Sequence, residues 1–293
     1  MKTCMRAYKV VDAFSSHPFL GNPVAVVLDA EGLSSEQMQS IARWTNLSET
    51  TFVLPPVDSR ADYRLRIFTP LRELPFAGHP TLGSVHAILE AGYVKTSGDV
   101  LVQECGVGLV YVRISGSGRG KVIALDMPPA TLTPLAEAQI FELENILGAS
   151  VIRQTVPAIV DVGAVWIVAQ LSDADAVLQV TPDLARSALF ENQLGATGVT
   201  IFGKHEQEDG LIEVRSFAPS CGVNEDPVCG SGNGSVAYFQ LYHSMIDAAG
   251  SHYIANQGRC VSRDGKIFVE VAKGNVSIGG ACVTCVDGHL QMP

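Results

Sequence analysis

The sequence predicts an α+β protein built from two similar halves. Short segments rich in Val, Ile, Phe and Tyr recur along the 293 residues, and turn residues separate them, which is typical of many short strands. Fewer segments carry apolar residues at helical spacing. A motif of the first half returns in the same order in the second half, which indicates an internal duplication.

The elements follow from these patterns in chain order. Ten segments are predicted as strands: 7–14, 22–28, 51–55, 63–70, 109–114, 121–128, 159–171, 198–204, 211–219 and 266–280. A first helix is predicted after Ser34, which caps it together with Gln37. Two apolar helices are predicted at 79–92 and 233–250, the second of them central, and two peripheral helices at 134–148 and 182–190.

The repeated motif is a strand that ends in Arg-x-Phe-x-Pro, followed by a loop and a small-Gly-polar turn that opens an apolar helix. Its matching residues are Arg66, Phe68 and Pro70 with Arg215, Phe217 and Pro219, and Ala77-Gly78-His79 with Cys229-Gly230-Ser231. Duplication would place two helix N-termini, at 78–81 and 230–234, on opposite sides of one cleft. Free N–H groups and positive partial charge at such ends favour a substrate that carries a carboxylate.

Composition excludes several classes of protein. The net charge is −10, from 30 acidic and 20 basic residues, and without a Lys/Arg-rich run we expect no nucleic-acid partner. The longest apolar runs, such as 158–171, are interrupted, so no membrane span is expected. The seven cysteines lack a disulfide-framework spacing and the start lacks a signal peptide, which favours the cytoplasm.

A metal site is not expected. Cys282 and Cys285 form the one close pair of metal-type ligands, and no second pair completes a four-ligand set. Two half-buried strand cysteines are the better interpretation.

Glu49 and His79 are the first candidates for chemistry. Glu49 lies between hydroxyl residues at the edge of an apolar strand; it is either a surface carboxylate or a general base whose pKa is raised by partial burial. His79 opens a helix between a glycine and a proline, where the neutral imidazole is favoured. Its alternative is a purely structural histidine.

The turn at 224–234 is glycine-rich, but it is neither a P-loop nor a Rossmann turn, since no lysine follows and Glu225-Asp226-Pro227 leads into it. The two carboxylates suit holding a substrate ammonium or orienting His79. Cys229 could be a nucleophile at a helix N-terminus, although nothing in the sequence ties a particular histidine to it as a base.

Taken together, these residues resemble the PhzF family of phenazine-biosynthesis-type isomerases, within the diaminopimelate epimerase-like superfamily. The resemblance rests on seven motifs in one order: FLGNPVAVV (19–27), NLSETTF (46–52), RIFTP (66–70), FAGHPTLG (76–83), RSFAP (215–219), EDPVCGSG (225–232) and NQGR (256–259).

The resemblance implies two pseudo-symmetric domains, each a barrel-like mixed β-sheet wrapped around a central α-helix, with the active site between them. We place the domains at 1–128, with 281–293 returning to the first, and at 129–280. It further implies a cofactor-independent isomerase acting on a small acidic molecule, and a homodimer. The implied catalytic residues are Glu49 as acid/base, His79 and Asp226, and the implied binding residues are Ser231 with Gly78 and Gly230 as backbone donors. We add Gly232, Asn22 and Cys229 as candidate substrate-binding residues, although Cys229 departs from the small or hydroxyl residue expected in this family, which leaves a changed substrate or a redox-sensitive site open.

Related epimerases use one thiol from each half. Here Cys229 occupies one such place, but the repeat puts Ala77 at the other, so a two-thiol mechanism fails. Two alternatives stay open: a non-catalytic small-molecule binding protein of the same fold, and a Cys229-dependent lyase or hydrolase.

Overall fold

The computed structural model describes residues 4–94, 98–208 and 210–292. The chain forms two compact units. Unit 1 comprises residues 1–125 and 279–293, and unit 2 comprises residues 126–278.

Unit 1 contains two helices and a sheet of short strands. Its elements are β1 (Cys4–Ala13), β2 (Asn22–Val27), α1 (Ser35–Thr45), β3 (Glu49–Leu54), β4 (Tyr63–Phe68), β5 (Glu73–Leu74), α2 (Gly78–Glu90), β6 (Val100–Cys105), β7 (Gly108–Ser115), β8 (Val122–Asp126), whose last residue begins unit 2, and, from the end of the chain, β18 (Cys282–Met292).

Unit 2 holds the remaining elements. They are β9 (Thr131–Pro134), α3 (Glu137–Leu147), β10 (Ala158–Asp161), β11 (Val165–Gln170), α4 (Ala174–Gln179), α5 (Leu184–Leu194), β12 (Gly198–Lys204), β13 (Leu211–Ala218), β14 (Val223–Asp226), α6 (Gly230–Tyr242), β15 (Gly250–Gln257), β16 (Gly265–Ala272) and β17 (Asn275–Gly280), which runs into unit 1.

The two units repeat one strand topology. In unit 1, β2 pairs in parallel with β3, β3 antiparallel with β4, and β4 in parallel with β6. In unit 2, β11, β12, β13 and β15 pair in the same way. The register repeats as well: Thr50 lies opposite Phe68 in unit 1, and Val199 lies opposite Phe217 in unit 2, each 149 residues later. The α+β fold with two similar halves is therefore confirmed.

One apolar helix packs inside each sheet. In unit 1, α2 lies against β1, β2, β3 and β18, and in unit 2, α6 lies against β10, β11, β12 and β16. The packing of α2 is close, because a Cβ added at Gly83 would come within 2.3 Å of Val24 Cγ1. Leu82, Val85 and Ile88 of α2 are fully buried, as their helical spacing predicts.

The outer helices cover the other side of the sheets. Helix α1 packs on a core cluster that includes Met38, Phe52 and Phe68. It begins as predicted, since Ser34 Oγ accepts from the Gln37 N–H at 3.2 Å and Gln37 Oε1 accepts from the Ser34 N–H at 2.9 Å. Helices α3 and α5 contribute to a second core cluster in unit 2.

Three sequence-based elements are wrong in extent. The helix predicted at 233–250 begins at Gly230 and ends at Tyr242, because Ser244 turns left-handed at φ 54° and β15 starts at Gly250. The strand predicted at 159–171 is a hairpin broken at Gly163, where φ is 92°. The strand predicted at 266–280 is likewise two strands, separated by Lys273 and Gly274 at positive φ.

Candidate active site

Glu49 stands at the first position of β3. Helix α1 ends at Thr45 and is capped by Asn46, whose left-handed backbone (φ 54°) reverses the chain while its N–H donates to the Ala42 carbonyl. Glu49 then enters the sheet beside Val24 of the parallel strand β2. Its side chain is 15% exposed. The surface-carboxylate interpretation is therefore wrong for the described geometry.

His79 approaches Glu49 from the start of α2. Its Nε2 lies 3.2 Å from Glu49 Oε2, and its side chain is 10% exposed. A buried contact between the Thr51 and Ser84 hydroxyls at 2.8 Å fastens α2 to β3. Thr51 is two residues beyond Glu49 on the same face of β3, so this contact helps to hold the side chains of Glu49 and His79 in register.

Burial raises the pKa of the Glu49 carboxyl from 4.5 to about 7, and a hydrogen bond from Ser48 opposes part of that rise. Such a carboxyl exchanges its proton near neutral pH. With the His79 imidazole 3.2 Å away, it is suited to general acid/base chemistry.

Asn22 and Gly78 lie at the same end of these elements. Asn22 is 1% exposed and starts β2, whose amino end lies beside that of β3. Gly78 starts α2 after Ala77, which provides no side-chain cap. A Cβ at Gly78 would meet only Leu125 Cδ1, at 3.9 Å, so protein packing does not require glycine there.

Unit 2 carries a second cluster, at the start of α6. The buried Gln257 organises it: its Oε1 accepts from the Cys229 N–H at 3.1 Å and from Asn233 Nδ2 at 2.8 Å, and its Nε2 donates to the Asp226 carbonyl at 2.9 Å. The Asp226 carboxylate accepts from the Val228 N–H at 3.1 Å. These bonds fix the turn from Asp226 into the helix.

Cys229 is a buried cap. Its Sγ accepts from the Gly232 N–H at 3.3 Å. Burial, reinforced by the charge of Asp226, raises the pKa of the thiol well above its ordinary value, against the smaller lowering effects of Gly232 and Ser231. Desolvation thus outweighs the helix N-terminus, and the thiol is protonated at neutral pH. That disfavours the Cys229 nucleophile.

Ser231 is held by a residue that sequence analysis missed. Trp166 is 3% exposed, and its indole N–H donates to Ser231 Oγ at 3.0 Å. Ser231 Oγ also lies 3.6 Å from Cys229 Sγ, a contact in which either group could be the donor. Trp166 is one of two tryptophans in the sequence, and a buried indole N–H requires an acceptor, which was the available signal.

Two other predicted roles change. Both Glu225 oxygens accept from the Arg215 guanidinium, at 3.0 and 2.8 Å, so this carboxylate is paired within unit 2. Gly232 is required by packing: a Cβ there would lie 2.7 Å from Ser216 Oγ and 2.9 Å from Thr200 Oγ1. Its N–H is engaged by Cys229.

The two clusters occupy equivalent places but differ in chemistry. Gly198 begins β12 as Glu49 begins β3, and Trp166 is its strand partner as Val24 is the partner of Glu49. A Cβ at Gly198 would come within 2.7 Å of the Trp166 ring and 2.2 Å of the Phe217 carbonyl oxygen. Unit 2 therefore has no room for a second glutamate at this position.

No group of three or more His, Cys, Asp or Glu side chains within 4–94, 98–208 and 210–292 could hold a metal ion. None of the helices in these ranges has the length and apolarity needed to cross a bilayer.

Comparison with known proteins agrees with this architecture. The family of phenazine biosynthesis-like proteins, PhzC-PhzF, matches residues 11–288. A solved structure from Bacillus anthracis, a phenazine biosynthesis protein of the PhzF family, superposes with a TM-score of 0.88 over all of both chains at 24% identity.

Two relatives match over most of their length. Antisense-enhancing sequence 1 of Schizosaccharomyces pombe is 40% identical, covering 96% of this chain and 97% of that protein. Trans-2,3-dihydro-3-hydroxyanthranilate isomerase of Pseudomonas aeruginosa is 37% identical, covering 83% of this chain and 82% of the enzyme.

The fold is thus the diaminopimelate epimerase-like fold, and the protein is an enzyme of the isomerase class. The chain belongs to the PhzF family of phenazine biosynthesis-like proteins.

Proposed function

We propose that this protein is a cofactor-independent isomerase that moves a proton on a small carboxylate-bearing amino or hydroxy acid, with Glu49 as general base and acid. The observation that carries the proposal is the Glu49–His79 pair, 3.2 Å apart, in which burial raises the pKa of Glu49 to about 7.

In this mechanism the ionised Glu49 takes a proton from a carbon next to an electron-withdrawing group. Once protonated, it can return that proton to another carbon, because its pKa lies near the working pH. His79 and Asp226 handle the substrate's amino or hydroxyl group. His79 lies within proton-transfer distance of Glu49 and supports the proton's return.

Backbone and hydroxyl donors would stabilise the negative charge of the substrate. The N–H groups of Gly78 and Gly230, which begin α2 and α6, lie in the first turn of each helix, where backbone N–H groups have no intrahelical acceptor. Ser231 adds a hydroxyl group, whose oxygen is oriented by the Trp166 indole N–H. Asn22 and Cys229 complete the proposed binding residues.

The relative from Pseudomonas aeruginosa is named for trans-2,3-dihydro-3-hydroxyanthranilate, a cyclic amino acid with a carboxylate and a hydroxyl group. That name supports the proposed substrate class, and we take this molecule as the first test substrate.

Deuterium incorporation tests the role of Glu49. Wild type and Glu49→Gln would be incubated in D2O with trans-2,3-dihydro-3-hydroxyanthranilate and a panel of cyclic and linear amino acids. We expect a loss of roughly 10²–10⁴-fold in Glu49→Gln, the usual contribution of a general base. Glu31→Gln, on an exposed glutamate of the same unit, is the matched control. Equal exchange by wild type and Glu49→Gln would exclude Glu49 as the base.

The two rival functions predict different results. A non-catalytic binding protein would show ligand binding by calorimetry without isotope exchange. A Cys229-dependent lyase or hydrolase would lose activity in Cys229→Ser and keep it in Glu49→Gln. Burial raises the pKa of the Cys229 thiol, which disfavours thiolate chemistry and therefore also the Cys229-dependent lyase or hydrolase.

We also propose a cytoplasmic homodimer. The dimer follows from the family resemblance, and the location is supported by the six described cysteines, all free thiols. Light scattering on the purified protein would test the dimer, and a single-chain mass of 31.1 kDa would contradict it.

A further inference from the structure

A polar cavity of about 480 Å³ lies in unit 1, away from Glu49. We call it the Arg64 groove, and its lining residues are Arg64, Leu65, Arg66, Glu73, Leu74, Pro75, Cys105 and Gly106. Arg64 and Arg66 are two apart on β4, so their side chains leave the same face of the strand.

The two arginines differ in their partners. Arg66 is neutralised by Glu73, which accepts two bonds of 2.7 Å each, and it also reaches Ser35 Oγ at 2.9 Å. Arg64 makes no ion pair within 4 Å among the described residues, and its buried Nε lacks a hydrogen-bond partner there. An unsatisfied buried donor is costly, so an acceptor brought to this guanidinium would stabilise the folded protein.

The nearest acid by register does not fill that role. Glu104 lies beside Arg64 in the parallel pair of β4 and β6. Its Oε2 instead accepts the N–H groups of Val57 and Asp58, at 2.6 and 3.0 Å.

Unit 2 shows the same place in an occupied form. The internal repeat matches each residue of this place to one in unit 2. The matching pairs are Arg64 with Glu213, Arg66 with Arg215, Glu73 with Glu225, Pro75 with Pro227, Glu104 with Asn256, and Gly106 with Gly258. Arg215 and Glu225 repeat the bidentate pair of Arg66 and Glu73. The close approach repeats too, since a Cβ at Gly258 would touch Pro227 O at 2.5 Å and one at Gly106 would touch Pro75 Cα at 2.7 Å.

In unit 2 a loop delivers a charge to this place. After Gly258 the chain forms a short 3-10 turn, and Arg259 Nη1 lies 3.5 Å from Glu213 Oε2. His205 Nε2 lies 3.2 Å from the same oxygen. In unit 1 the corresponding hairpin contains Gly106 and Val107 alone, so it supplies no charged side chain.

The matching residues Arg64 and Glu213 carry opposite charges. In unit 2 the Glu213 carboxylate meets the Arg259 guanidinium from the loop, whereas the loop of unit 1 brings no charged group to Arg64. We propose that the Arg64 groove binds the carboxylate of a small organic acid on the Arg64 guanidinium. A guanidinium matches a carboxylate in a two-pronged geometry. With Arg66 neutralised by Glu73, the residues that line the groove carry one net positive charge, which suits a single carboxylate better than a phosphate dianion.

The test is a titration of the full-length ¹⁵N-labelled protein, followed by the NMR signal of the Arg64 Nε–H group. Acetate is the carboxylate probe, inorganic phosphate is the competing anion, and NaCl at matched ionic strength reports general screening. We expect a saturable shift with acetate, with half-saturation at a concentration at least tenfold lower than any response to NaCl. Equal, unsaturated shifts with acetate and NaCl would overturn the proposal, and tighter saturation by phosphate would overturn its carboxylate assignment.

Variants give the second arm of the test. The backbone amides of Cys105 and Gly106 are expected to lose their acetate response in Arg64→Gln and to keep it in Arg43→Gln, a change on the exposed face of α1. Arg64→Glu should lose the acetate response and respond saturably to guanidinium, as the arrangement of Glu213 and Arg259 implies. An unchanged acetate response in Arg64→Gln would place the anion elsewhere and refute the groove.

Discussion

At the scale of single residues, the burial of Glu49 links stability to pH. Its pKa in the folded protein, about 7, exceeds the ordinary 4.5, so the folded state favours the protonated form. The folded state therefore loses stability as pH rises from about 4.5 to 7, and the full penalty is present above that window. A shift of this size corresponds to roughly 3 kcal/mol.

Glu49→Gln, which cannot ionise, is accordingly expected to exceed wild type in free energy of unfolding by up to about 3 kcal/mol at pH 8 and to differ little from it at pH 4.5. Urea unfolding at the two pH values measures this. Glu31→Gln should show no such dependence, and a difference that is the same at both pH values would contradict the buried carboxyl.

The same pKa predicts the pH dependence of turnover. If Glu49 acts first as a base, kcat/KM rises with pH through about 7, because the ionised form is the active one. A pH–rate profile on trans-2,3-dihydro-3-hydroxyanthranilate would show this limb. A limb near 4.5 would mean that the carboxyl is solvated in the working enzyme.

If Ser231 binds the substrate as proposed, Trp166→Phe is predicted to weaken that binding, because Ser231 loses the donor that orients its hydroxyl. One neutral hydrogen bond contributes about 1 kcal/mol, so KM should rise roughly fivefold with kcat nearly unchanged. Trp44→Phe is the control, since that side chain is 76% exposed.

Pairing the change with Ser231→Ala separates positioning from packing. If Trp166 acts through Ser231, the double variant is no worse than Ser231→Ala alone. Fully additive losses in KM would show that the indole acts by another route.

At the scale of elements, the contact between α2 and β2 sets the position of His79. Gly83→Ala would force a methyl group to within 2.3 Å of Val24 Cγ1, and overpacking of this kind costs about 1–3 kcal/mol. We expect that loss in the free energy of unfolding, together with reduced activity, since Val24 is the strand partner of Glu49. Gly120→Ala should leave stability and activity unchanged, because a Cβ added at Gly120 would meet no atom within 4 Å.

Element boundaries show where sequence patterns are weak. The predicted strand at 198–204 has the bounds of β12, because glycine and turn residues flank a continuous apolar run. The helix predicted to 250 fails because apolar spacing continues beyond Tyr242, although the chain reverses at Ser244 and Asp247 bonds the Ala249 N–H. Helix α4 has six residues and was missed, since so short a segment shows little periodicity.

At the scale of the whole molecule, the C-terminal strand completes unit 1. β18 pairs with β1 from Cys4 to Ala13, and Lys9 bonds both Asp287 of β18 (2.7 Å) and Glu90 of α2 (2.9 Å). Deleting residues 282–293 exposes the edge of β1.

We expect that deletion to accelerate amide hydrogen exchange in β1 by at least about 10²-fold while β12 in unit 2 stays protected, because cooperative units open separately. Deletion of residues 292–293 is the control. Equal loss of protection in both units would contradict a division into separate compact units.

Much of this was determined by the sequence alone. The offsets of the repeated motif predicted the shared topology, because Arg66 and Arg215, with Phe68 and Phe217, occupy the same register positions. Motif order predicted the family, and with it Glu49 as the candidate base. Local patterns carry such information because strand alternation, glycine turns and helix starts depend on near neighbours.

Only the tertiary structure decided the surroundings of each candidate residue. The fold brings His79 Nε2 to 3.2 Å from Glu49 Oε2, although the two residues are thirty positions apart, and it buries the carboxyl. It pairs Glu225 with the Arg215 guanidinium. It also buries the Cys229 thiol, which raises the pKa of that group. It also revealed Trp166 and the Arg64 groove. Desolvation and long-range contacts set these properties, and neither can be read from neighbouring residues along the chain.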